Sequence, residues 1–151
     1  MDYCMNEGTL TLPFEYADSS MTILKFPKEK SSLTIVRGEM PAELSLAETV
    51  ELQRNLFQKE FKTIILGETK EAILGNALTL KGMEFFCMFD QSNIKQYQMN
   101  LLIKQHAYFI TFTYTQLRVF DNEDLANWER IKSDFVLTPQ WYQLLKEIPH
   151  E

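Results

Sequence analysis

The chain has 151 residues, enough for one domain that buries roughly two-thirds of the surface its unfolded form exposes. Apolar residues make up 45% of it, eleven Phe among them, a content that offsets chain entropy and excludes wholesale disorder. A formal charge of -6, a pI near 5.0 and scattered Lys and Arg exclude the basic face that nucleic acid or an anionic membrane requires.

Short runs of alternating polarity come first. Thr9-Leu10-Thr11-Leu12 reads as a strand closed by Pro13, Met21 to Phe26 as a second stopped by Pro27, and Leu33 to Arg37 as a third ended by Gly38 and Pro41. Breakers at this spacing predict a small β-meander. The basic run Lys25 to Lys30 is interrupted by Phe26, Pro27 and Glu29 and reads as a solvated turn.

Ser45 opens a helix, and Glu48 stands three residues on, the spacing of a capping box. The apolar stripe runs Leu46, Val50, Phe57 and Phe61, widened by Leu52 and Leu56. Gln53 falls inside that stripe, and a buried amide without a partner costs about 1–3 kcal/mol.

Strands are predicted next over Thr63 to Thr69, Asn76 to Gly82, Met83 to Asp90 (continuous or not with the one before), Ile94 to Gln105 and Ala107 to Thr115. Gly75-Asn76 and Gln91-Ser92-Asn93 read as hairpin turns, which makes neighbouring strands antiparallel. A second helix begins near Asp121 or Asn122, with Leu125, Trp128, Ile131 and Phe135 as its stripe. Thr138-Pro139 breaks it, and Trp141, Leu144, Leu145 and Ile148 suit a short tail helix over 138–151. The order predicts an α+β fold, helices packed on an antiparallel sheet.

Chemistry is harder to find. The five glycines never cluster into a phosphate loop, and the two histidines, His106 and His150, have no metal-ligand spacing. Cys87 lies in Phe85-Phe86-Cys87-Met88-Phe89, the setting of a small core hydrophobe rather than a nucleophile. The expectation is a protein that is not an enzyme and uses no cofactor or metal. The start of the chain lacks a basic region followed by an apolar stretch, and no run of about 18 apolar residues occurs, so the expected place is the cytoplasm.

What stands out is the placing of amides. Alternation over Ile94 to Gln105 puts Gln96, Gln98 and Asn100 on one face and Tyr97, Met99, Leu101 and Ile103 on the other. The amide face is either simply solvated or, together with Gln53, supplies polar points in an apolar hollow that hydrogen-bonds a bound segment.

Three stretches then resemble one family. Tyr3-x-x-Asn6-Glu7-Gly8-x-Leu10-x-Leu12-Pro13, Asp18-Ser19-Ser20-Met21-Thr22-Ile23-Leu24 and Leu33-Thr34-Ile35-Val36-Arg37 are similar to the opening of the Eag chaperones of type VI secretion, within the DcrB-like group. The capped helix with Gln53 and the later Gln96-Tyr97-Gln98 fit the same pattern, which covers 1–137 as a DcrB-like/Eag domain.

The resemblance implies a Mog1/PsbP-like α+β fold with a curved antiparallel sheet, a homodimer, and a client: an Rhs-type or PAAR-containing effector with hydrophobic N-terminal helices. It implies client-binding roles for Met21, Ile23, Val36, Gln53 and Gln98 on a concave sheet face. Ile35 replaces Val36 if the pleat runs the other way, because a one-residue slip reverses every side chain. The alternative on the same fold is a small-ligand or lipid-binding domain.

Overall fold

The computed structural model describes residues 1–138; the tail helix expected beyond them lies outside the described residues. A hairpin of β1 (Asp2–Met5) and β2 (Gly8–Thr11) stands apart from a seven-stranded antiparallel sheet. The sheet contains β3 (Met21–Phe26), β4 (Ser31–Glu39), β5 (Ile64–Leu66), β6 (Lys70–Leu74), β7 (Leu80–Gln91), β8 (Ile94–Gln105) and β9 (Tyr108–Gln116). Across it the order is β3-β4-β9-β8-β7-β5, with β6 also paired to β7.

Two helices complete the α+β fold, α1 (Leu46–Glu60) and α2 (Asn122–Ser133). Both begin with a full capping box, Ser45 with Glu48 and Asp121 with Asp124, so two otherwise unpaired N–H groups are satisfied at each start. The β7–β8 hairpin turns through Ser92 and Asn93, both at positive φ, the backbone that suits a two-residue turn between twisted strands.

The register sorts side chains to two faces. Leu33, Leu101, Ile103, Phe112 and Tyr114 gather on one, where Trp128 of α2 packs into them. Val50, Phe85, Cys87, Phe89 and Leu102 gather on the other, under α1. Each such side chain, fully buried, contributes about 1.5–3 kcal/mol, so α2 and α1 are held to opposite faces by packing rather than by propensity.

A charged cluster pins α2. Glu84 accepts from Trp128 Nε1 at 2.8 Å and from Lys132 Nζ at 2.7 Å, and Lys132 also reaches Glu129 at 2.7 Å. At the start of α2, buried Asp124 accepts two bonds from Arg118, at 2.5 and 2.7 Å, one from Gln116 and one from the Asp121 N–H. Burial opposes its ionisation, but those donors outweigh the burial and hold the carboxyl well below the usual range.

Several elements differ from the sequence expectation. Asp2–Met5 is a strand, β4 runs through Gly38 to Glu39 instead of ending before it, β6 occupies Lys70–Leu74, and β7 starts at Leu80 rather than Asn76 and is continuous, one of the two possibilities left open. On α1, Leu52 and Leu56 are 44% and 58% exposed instead of widening the core stripe, and Leu125 on α2 is likewise exposed. Among the described residues no helix is long and apolar enough to cross a membrane.

Candidate functional site

Helix α1 packs on β5, β7 and β8, which leaves the same face uncovered over β9, β4 and β3. The residues left there follow from register. Met21 pairs with Val36 and Val36 with Thr111; Ile23 pairs with Thr34, Thr34 with Thr113, and Thr113 with Asn100. Gln98 pairs with Thr115 one step along. Four of the five residues singled out in the sequence, Met21, Ile23, Val36 and Gln98, therefore share one face. Ile35 lies on the opposite face, packed against the α2-side core, so the pleat runs in the sense that selects Val36.

The fifth, Gln53, sits on the helix wall. Arg54 fixes which way α1 is turned: its Nη1 donates to Gly67 O at 2.7 Å and its guanidinium lies 5.2 Å from the Phe85 ring centroid, on the β5–β7 side. Successive helical residues turn by roughly 100°, so Gln53 and Leu56 fall on the other flank, toward β9. Gln53 is half-buried, and no side chain among the described residues bonds its amide. Leu56 was not marked as a site residue in the sequence. Its signal was its offset from Val50 on the helical wheel, away from the stripe centre.

The result is an open groove. One wall is the Gln53–Leu56 flank of α1, and the floor is Thr34, Thr111 and Thr113 with Asn100, running out to edge strand β3, where Met21 is 62% and Ile23 55% exposed. Phe109 lies on the same face, its ring against Gly38; a Cβ on Gly38 would come within 2.8 Å of it.

A chain of hydrogen bonds runs beneath. Thr113 Oγ1 donates to Asn100 Oδ1 at 3.0 Å, Asn100 Nδ2 to Cys87 Sγ at 3.4 Å, and the Cys87 thiol to Gln98 Oε1 at 3.5 Å. Burial pushes the Cys87 thiol up to about 11, against smaller opposing effects of Asn100 and Arg54, so it remains a donor and not a thiolate. Asn100 and Gln98 are thereby held in orientation, and the Gln98 NH₂ is the donor at the end of the chain. Sequence spacing placed Asn100 on this face but did not reveal its link to Cys87 on the neighbouring strand.

This arrangement offers apolar area with a few oriented amides and hydroxyls, which suits binding a long apolar segment. Among the described residues no cluster of His, Cys, Asp and Glu is arranged to hold a metal.

A model of the DcrB family matches residues 7–134, most of the sequence. The chain belongs to the DcrB family. A search of the curated proteins finds no relative at a significant level. Among solved structures, this DcrB-family chain is similar to PA94 from Pseudomonas aeruginosa, a protein of unknown function, with a TM-score of 0.66 and 17% identity over 100% of this chain and 96% of that one. At that identity the likeness shows a shared fold.

Proposed function

We propose that this DcrB-family chain is an Eag-type chaperone, which holds the hydrophobic N-terminal helices of an Rhs- or PAAR-type type VI effector before export. The observation that carries the reading is the groove itself: exposed Met21 and Ile23 face Gln53 and Leu56 across a threonine floor. A transmembrane helix in water exposes a long apolar side, and covering it gains about 25 cal/mol per Å². Such helices also carry small and polar residues that normally bond to neighbouring helices; Gln53 and Gln98 take the neighbour's place. The resemblance of the opening motifs supports the same reading, with a homodimer working in the cytoplasm. No step in it needs hydrolysis or a cofactor; release follows from transfer to a site that binds the client better.

The test is co-expression of the chain with the N-terminal segment of such an effector from the same host. The segment is expected in the soluble fraction, bound to the chain, and to be lost from it when Met21→Asp and Gln53→Ala are combined. A segment equally soluble without the chain, or held equally by the folded double variant, overturns the proposal.

A further inference from the structure

The opposite face of the sheet carries a second, separate feature. Where β4, β8 and β9 run past the segment after α2, a cavity of about 230 Å³ opens, lined by Leu74, Ile103, Ile110, Phe112, Phe135 and Leu137. A second cavity of about 240 Å³, sharing Ile110, Phe112 and Phe135, continues toward Trp128 under α2.

One cation lines both. Arg37 lies on β4 opposite Ile110, and its Nη1 donates to Ser20 Oγ at 3.2 Å. Its guanidinium also hydrogen-bonds Tyr108, which lines the first cavity with Gln105. Among the described residues no carboxylate forms an ion pair with Arg37. A guanidinium has five donors in a planar fork, and here it stands half-buried beside an apolar hollow; the nearby carboxylate of Asp18, which accepts from the Ser20 N–H, makes no ion pair with it.

We propose that this cavity binds a single-chain monocarboxylate, its hydrocarbon in the hollow and its carboxylate on Arg37 between Ser20 and Tyr108. The size sets the class. The first cavity, about 230 Å³, suits one short acyl chain, and the adjoining one of about 240 Å³ gives the end of a longer chain room under α2. The charge sets the head group, because a carboxylate takes the fork by two parallel bonds. This site is independent of the groove, which lies on the other side of the sheet.

The probe is decanoate, titrated into the purified full chain by calorimetry while backbone amide NMR shifts are followed. The expected result is saturable one-to-one binding, with shifts centred on Ile110, Phe135 and Leu137, and affinity at least about tenfold weaker for Arg37→Gln and for decanol on the native chain. Absence of saturable binding overturns the proposal. So does equal binding of decanol, or a set of shifts centred on Met21, Ile23 and Val36, which would mark nonspecific adsorption to the groove. If Arg37→Gln does not fold, the decanoate–decanol comparison and the shift map on the native chain still decide.

Discussion

Replacing Ile23 by Asp tests the groove at a position where the fold depends little on the side chain. Ile23 lies on edge strand β3 and keeps 55% of its surface exposed. Full burial of such a side chain is worth about 1.5–3 kcal/mol, so a little over half of that, about 1–1.5 kcal/mol, remains to be gained when a client helix covers it. That corresponds to about a tenfold change in Kd for Ile23→Ala. The Asp variant adds a carboxylate that an apolar helix must desolvate without a partner, and its loss should approach about a hundredfold. Stability should fall by no more than about 1 kcal/mol, the span of strand propensity, or several degrees in Tm. Binding is read by fluorescence anisotropy of a labelled client segment, and folding by thermal melting of the same samples. Leu24→Asp is the control, since Leu24 is also exposed, at 44%, but points to the other face. Unchanged affinity in folded Ile23→Asp, or an equal loss in Leu24→Asp, refutes the reasoning.

Three further outcomes follow from the packing. Lys132→Met should cost about 3 kcal/mol in chemical denaturation by leaving the Glu84 carboxylate buried with only Trp128 as donor, and adding Glu84→Gln should restore most of it. Because the folded-state pKa of Asp124 is depressed, its contribution is present above the unfolded value of about 3.9 and is lost as pH falls from there toward the folded one. Melting followed from pH 6 down to about pH 2 should show this acid loss in the native chain and a shallower one in Asp124→Asn. In the native state an alkylating reagent at neutral pH should label exposed Cys4 and spare Cys87 until denaturant is added, as read by mass spectrometry.

Much of the groove was legible because alternation and strand breakers are local signals. Alternation over Ile94 to Gln105 already put Gln98 with Asn100 on one face, Pro27 marked the end of β3, and the resemblance of the opening motifs pointed to Met21 and Ile23. The choice between Ile35 and Val36 was not legible, because it depends on which face meets α2, a fact of tertiary packing. Strand β1 escaped because Asp2-Tyr3-Cys4-Met5 is short and shows no apolar alternation; only pairing with β2 makes it a strand. Strand β6 was hidden by its opening Lys70-Glu71, and burial of Lys132 by a partner, Glu84, 48 residues away. Leu52 and Leu56 looked like core because a stripe shows where apolar residues fall on a helix but not how far the sheet beneath extends.

The contact between Gly38 and Phe109 lets a missing side chain shape the uncovered face of the sheet. An aromatic ring rests there where a side chain is missing, and a methyl at Gly38 would meet the far edge of that ring rather than a neighbouring backbone. The sheet can thus keep its register while the ring turns aside.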